Sequence, residues 1–172
     1  MRELHRLAVC RLAEGLVRLD ILKSPVNARV EDGSVEELFF MHGLGHLIGI
    51  HTHDVMNMKK KKGYLLPGRD PDLTQPGGRR CSADFILQPG MTLTDEPGIY
   101  FQPWVLNDPA MREKYRDAVN WDLIDQILKT GEAGYGVRIE DTLVVTESGE
   151  PINLSVDIPK EPDEVEALRP AA

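Results

Sequence analysis

Hydrophobic residues recur at helical spacing in two long stretches of the chain. In residues 3–20 the apolar side chains fall every three or four positions, at Leu4, Leu7, Ala8, Leu12, Leu16 and Leu19. In residues 109–129 the same spacing places Met111, Tyr115, Val119, Leu123, Ile124, Ile127 and Leu128 on one face, and Gly131 is positioned to end the helix. Both stretches are predicted to be amphipathic helices. The acidic tail, 159–172, is predicted to hold one or two helical turns.

Shorter apolar runs and alternating patterns predict strands between and after these helices. The predicted strands are 37–45, which contains the run Leu38-Phe-Phe-Met, then 91–93, 98–101, 135–145 and 152–154. Residues 56–80 are rich in Lys, Gly, Pro and Asp and have almost no apolar periodicity. That composition predicts a long surface loop.

Composition and charge narrow the class of protein. The 172 residues suit one domain or a piece of a larger one, and the net charge of −8 argues against nucleic acid as a partner. No apolar run approaches the roughly 18–20 residues that cross a bilayer, so no membrane association is predicted. Cys10 and Cys81 lack the spacing of a metal site and are interpreted as reduced thiols of a cytoplasmic protein.

The segment from His42 to Asp54 contains four of the five histidines, together with three glycines. Imidazole is the commonest metal ligand and the usual acid or base near pH 7, and glycine lets a substrate or a metal approach the backbone closely. The alternative is that these histidines are ordinary core residues whose ring nitrogens form hydrogen bonds within the protein. A helix-borne zincin pair is excluded, because Gly43 stands where that motif needs glutamate.

Two pairs of carboxylates follow later in the chain, Asp95-Glu96 and Glu140-Asp141. Strand alternation would place Arg138 and Glu140 on one face, where the guanidinium would keep a neighbouring carboxylate ionised and oriented. The simpler alternatives are an ordinary ion pair on a half-buried strand and a plain turn at Asp95-Glu-Pro-Gly.

Four motifs, taken together and in this order, resemble those of the pita-bread metallopeptidase superfamily, and within it prolidase in particular. They are Phe40–His46, His53-Asp54, Leu87–Phe101 and Gly136–Asp141. The resemblance implies an α+β fold in which residues 1–172 form the C-terminal part of a pita-bread catalytic domain. It also implies a curved antiparallel sheet flanked by helices.

The resemblance implies a role for each matching residue. The implied metal ligands are His46, Glu96 and Glu140, the last of them bridging two ions. His42 and His53 are implied to contact the substrate. The implied catalytic set is His53, Glu96 and Arg138, with Glu96 as the general base and Arg138 steadying the ligands.

The resemblance further implies two divalent ions, manganese or else cobalt or zinc, which activate a water for attack on an Xaa-Pro bond. The family also uses two aspartate ligands, and the surroundings of Asp20 and Asp32 do not resemble theirs. We therefore expect this chain to bind one ion weakly at most and to have little activity alone. The expected partners are a peptide with proline after the scissile bond, and either a second copy of the chain or an N-terminal portion of the enzyme.

Two alternative functions stay open. The first is an enzyme of the aminopeptidase P kind, which cleaves longer peptides. The second is a binding module on the same scaffold that has lost catalysis. Keeping His46, His53, Glu96, Arg138 and Glu140 together argues against the second, because an idle site has no chemical reason to retain all five.

Overall fold

A computed structural model describes residues 1–54, 86–130 and 134–169. Its helices are α1 Arg2–Arg18, α2 Val26–Glu31, α3 Ser34–Leu38, α4 Pro103–Leu106, α5 Pro109–Lys114, α6 Trp121–Lys129 and α7 Pro162–Ala167. Its strands are β1 Thr92–Asp95, β2 Gly98–Phe101, β3 Tyr135–Arg138, β4 Asp141–Val144 and β5 Ile152–Asn153. The predicted α+β class is confirmed. The predicted loop at 56–80 lies outside the described residues.

The strands form two antiparallel sheets instead of one continuous sheet. β4 lies between β1 and β5 in the first sheet, and β2 pairs with β3 in the second. The chain leaves the first sheet after β1 and returns to it at β4, so the predicted strand 135–145 is broken at residues 139–140. A backbone hydrogen bond of 3.2 Å from Ile139 N to Pro97 O joins the two segments in which the chain passes between the sheets, one after β1 and the other before β4.

The core lies where α1 packs against α2, α3 and the segment that follows them. Leu16, Leu38, Phe39 and Phe40 are fully buried there, and Ile124 of α6 joins them. The predicted N-terminal helix is confirmed as α1, but its predicted apolar face is partly wrong. The buried positions are His5, Val9, Ala13 and Leu16, whereas Leu4, Leu7 and Leu19 are exposed.

The strand predicted at 37–45 is wrong. Gly33 adopts φ 78° and the Asp32 side chain accepts a 2.8 Å hydrogen bond from Ser34 N, and these two features begin the short helix α3. Phe39 and Phe40, which directly follow α3, are fully buried in the core, so the hydrophobicity of this run did not signal a strand. Residues 44–48 do run along the edge of β1, with one isolated bridge between Leu47 and Leu93.

The helix predicted at 109–129 is two helices, α5 and α6. The chain between them forms an isolated bridge with the segment after α1, through Leu22 and Val119. Asn120 N donates to Ile21 O at 3.0 Å, and the Asn120 side chain then caps α6 by accepting from Leu123 N. This tertiary pairing interrupts the helix, although the apolar periodicity of the sequence continues through the interruption. The predicted helical turn in the tail is confirmed as α7, and no described helix is both long and apolar enough to span a membrane.

Candidate metal centre

The histidine segment reaches the site because its backbone is hydrogen-bonded along β1. Glu96 N donates to Leu44 O at 2.7 Å, Thr94 N to His46 O at 2.8 Å, and Ile48 N to Thr92 O at 2.9 Å. Gly45 permits this approach, because a Cβ at that position would overlap the backbone carbonyl of Thr94. The group that approaches Gly45 closely is therefore the backbone of β1, and not a substrate or a metal. The absence of a side chain at Gly45 allows His46 to lie beside β1.

Three of the predicted site residues come together. His46, Glu96 and Glu140 each present one possible ligand atom, and these atoms all lie within 4.8 Å of one another. Glu96 directly follows β1, and Glu140 lies at the break between β3 and β4. Both carboxylates therefore sit where the chain passes between the two sheets. Glu96 is buried, His46 is partly buried and Glu140 is exposed.

The His46 ring is oriented as a metal ligand would be. Its Nδ1 lies 3.0 Å from the carbonyl oxygen of Leu47 and donates to it, which leaves Nε2 facing the site. Nε2 lies 3.6 Å from Glu96 Oε1. Histidine ligands are commonly held in this way, with one ring nitrogen donating to a carbonyl and the other free to bind metal. One imidazole and two carboxylates form a donor set that suits manganese, cobalt or zinc.

Glu96 is fixed on both of its carboxylate oxygens. Arg138 Nη1 donates to Oε2 at 2.6 Å, and the Thr94 hydroxyl donates to Oε1 at 3.0 Å. The same hydroxyl accepts from His46 N at 3.0 Å, so Thr94 ties the two prospective ligands together. Thr94 is a functional residue that sequence reasoning missed. Its position two residues before Glu96 on a strand, and so on the same face, was the available signal.

Tyr100 was also missed, and it joins Arg138 to His42. Arg138 Nε donates to the Tyr100 hydroxyl at 2.7 Å, and that hydroxyl lies 3.0 Å from His42 Nε2. Gly136 lies directly opposite Tyr100 in the β2–β3 register, where a Cβ would stand 2.5 Å from the tyrosine ring. Only the strand register reveals this link, so the sequence alone did not signal it.

The remaining predicted residues lie at different distances from the centre. The His53 ring centroid is 4.3 Å from that of His46, and His53 is exposed. His42 donates from Nδ1 to Gly43 O at 2.7 Å, and its pKa is lowered mainly by burial. Asp95 lines an apolar groove with Leu4 and Leu7 and is not part of the ligand group, and burial raises its pKa.

Comparison with known proteins assigns the family. The family model of metallopeptidase family M24 matches residues 1–147. The chain belongs to metallopeptidase family M24. Its fold also resembles that of the aminopeptidase PepP from Pseudomonas aeruginosa, with a TM-score of 0.62 and 29% identity over 97% of this chain and 28% of that one.

Proteins with related sequences carry two kinds of name. The Xaa-Pro dipeptidase of Homo sapiens is 36% identical over 96% of this chain and 30% of its own length. The Xaa-Pro aminopeptidase of Escherichia coli strain K12 is 36% identical over 94% of this chain and 26% of its own length. The chain thus spans less than a third of each of these relatives.

Proposed function

We propose that this chain forms part of the metal centre of a peptidase that hydrolyses the bond preceding proline, with Xaa-Pro dipeptides as the preferred substrates. The observation that carries the proposal is the convergence of His46, Glu96 and Glu140 within 4.8 Å. The names of the M24 relatives support the substrate class, since both kinds act on Xaa-Pro bonds.

His46, Glu96 and Glu140 would hold a divalent ion, manganese by preference. Such an ion, when bound, supplies Lewis acidity and lowers the pKa of water. Glu96 would accept the proton of the attacking water, and Arg138 holds the Glu96 carboxylate in place by donating to Oε2. The exposed His53 ring beside His46 would donate a hydrogen bond to the carbonyl oxygen of the scissile bond.

His42 would line the substrate pocket without binding the ion. Its Nδ1 is engaged by Gly43 O and its Nε2 by the Tyr100 hydroxyl, so neither ring nitrogen is free for metal. The ring edge packs against Phe40, at 4.8 Å between centroids. Phe40 is fully buried, so the His42 ring contacts the apolar core as well as the polar groups that engage its two nitrogens.

We further propose that the chain alone binds one ion weakly and turns over little substrate. Three ligand side chains are fewer than a dinuclear centre needs, and one of them, Glu140, is exposed to competing water. Full activity would then require further ligands from an associated polypeptide, either an N-terminal portion of the enzyme or a second copy. We propose a cytoplasmic location for the whole protein.

Titration with Co²⁺, followed by its visible absorption, tests the metal proposal. We expect one site per chain, with affinity at least about tenfold weaker in His46→Ala, Glu96→Gln and Glu140→Gln, because disturbing even indirect supports of a metal costs 10–100-fold. His51→Ala is the matched control, since this exposed histidine of the same segment lies outside the ligand group. Equal affinity in the His46 and His51 variants would contradict the proposed site.

Hydrolysis assays with Mn²⁺ test the proposal about activity. Purified 1–172 should release little or no proline from Ala-Pro and should leave Ala-Pro-Ala intact. Rapid turnover of the dipeptide would overturn the expected dependence on further ligands. Preferential cleavage of the tripeptide would instead favour the aminopeptidase kind of enzyme over the dipeptidase.

A further inference from the structure

A histidine and a glutamate form a buried pair outside the ligand group. His5 of α1 is 2% exposed and Glu36 of α3 is 4% exposed. His5 Nε2 lies 3.0 Å from Glu36 Oε1. Burying two such polar groups is unfavourable unless both are hydrogen-bonded. Two apolar residues would fill the same space more simply. A buried pair of this kind therefore calls for an explanation beyond packing.

The other nitrogen of the His5 ring contacts the histidine segment. Leu44 N donates to His5 Nδ1 at 3.2 Å. Nδ1 must therefore carry the lone pair, and Nε2 carries the hydrogen that is donated to Glu36. Glu36 thus selects the tautomer of His5 that can accept from the backbone at Leu44.

Leu44 connects this pair to both prospective ligands. Its amide is held by His5, and its carbonyl accepts from Glu96 N at 2.7 Å. His46 follows two residues later and continues the same pairing along β1. A shift of the Leu44 backbone would consequently move His46 and Glu96 relative to each other.

Aromatic contacts also connect the His5 ring to His42, which is proposed to line the substrate pocket. It stacks on Phe40 with 5.2 Å between centroids and 22° between planes. Phe40 in turn meets the His42 ring edge-on at 4.8 Å. One buried ring therefore contacts the segment both before and after His42.

From these contacts we propose that His5, oriented by Glu36, is a positioning residue for the metal centre. It holds the Leu44 backbone so that His46 and Glu96 face the same point. This inference rests on the proposed metal-binding function. A purely structural role, in which the pair only joins α1 to α3, would leave the Leu44 backbone and the metal affinity independent of the His5 acceptor atom.

Three variants separate positioning from stability. His5→Leu combined with Glu36→Leu removes the acceptor for Leu44 without leaving a buried, unpaired carboxylate. His5→Asn combined with Glu36→Gln offers an amide oxygen near the place of Nδ1 and so keeps the acceptor, again without a buried, unpaired carboxylate. Val9→Ala is the matched control, because Val9 is equally buried on the same helix but its side chain has no polar contact with Leu44.

Two measurements on the purified chain read out the effect. The first is the hydrogen-exchange rate of the Leu44 amide divided by that of Leu16, an amide within α1 that reports opening of the core. The second is the Co²⁺ dissociation constant. In the double leucine variant we expect the normalised exchange to rise and Co²⁺ affinity to fall, each by about tenfold, with the Asn and Gln double variant and Val9→Ala within about twofold of the wild type.

The outcomes distinguish this inference from the proposed function. Unchanged Leu44 exchange in the double leucine variant, or unchanged Co²⁺ affinity despite faster exchange, overturns the positioning role while the metal site stands. Failure of the wild type to bind Co²⁺ refutes the metal proposal for this chain. The positioning role is then judged on the amide chemical shifts of His46 and Glu96, which must move in the double leucine variant but not in the Asn and Gln double variant.

Discussion

His42 lies in a chain of hydrogen bonds whose direction is set by Arg138. A guanidinium only donates, so the Tyr100 hydroxyl accepts from Arg138, and its own hydrogen is left to be donated to the unprotonated Nε2 of neutral His42. His42 Nδ1 then donates to Gly43 O. Adding a second ring proton at Nε2 would break the bond with Tyr100. Burial, and next the Arg138 charge, also lower the pKa of His42 below 6.5.

We therefore expect His42 to titrate below pH 6.5 in an NMR titration of its ring carbon and proton signals. Because its pKa is lower in the folded chain than in the unfolded chain, its contribution to stability is full above pH 6.5. That contribution is lost as the pH falls through the folded value. Arg138→Gln should raise the pKa of His42, since one repelling charge is removed. A pKa at or above 6.5 in the wild type would contradict the hydrogen-bond directions.

Glu96 and Glu140 lie between strands, at the two points in the sequence where the chain passes from one sheet to the other. β1 pairs with β4, and β2 pairs with β3, so both bends fall at one place in the fold. The alternation in 135–145 could predict that Arg138 and Glu140 share a face, and both do approach Glu96. The alternation could not predict the break between β3 and β4, because a strand shows the same alternation whether or not the next residues join a different sheet.

The same limit explains the other differences between sequence and structure. The motifs were sufficient to predict that His46, Glu96 and Glu140 come together, because the family resemblance assigns all three to one site. Three residues that the sequence did not reveal act through distant partners. Thr94 lies 48 residues from His46, Tyr100 lies 58 from His42 and 38 from Arg138, and His5 lies 39 from Leu44. Only the folded register brings these partners together. The break between α5 and α6 likewise depends on pairing with residues 21–23.

A substitution at Asn120 tests what stabilises the start of α6 after the break. It caps α6, and its Nδ2 donates to Asp20 at 3.1 Å. Asn120→Ala should lower the free energy of unfolding by about 1 kcal/mol, because the amide of Leu123 loses its acceptor. Asn120→Ser, which keeps a capping oxygen, is the matched control and should lose less. Equal urea-denaturation midpoints for the Ala variant and the wild type would show that the cap contributes nothing.

At the scale of the whole molecule, the described surface carries an apolar groove of about 600 Å³ between α1 and the first sheet. Leu4 and Leu7 line it from α1, and Leu93 and Leu143 line it from β1 and β4. Leu7 is 53% exposed although it lies on a helix whose opposite face is fully buried. Contiguous apolar surface of this kind favours association, because contact with another surface removes it from water.

We therefore expect the purified chain to self-associate as its concentration rises. The driving force is burial of the groove, so Leu7→Glu should shift the equilibrium toward the monomer, because a charge in an apolar contact is unfavourable. Gln126→Glu is the matched control, since it adds the same charge at an exposed position of α6 without removing apolar surface. Sedimentation velocity over a hundredfold range of concentration gives the measurement. A monomer throughout that range would show that the groove does not drive association, and equal shifts in both variants would mean that net charge, and not the groove, controls it.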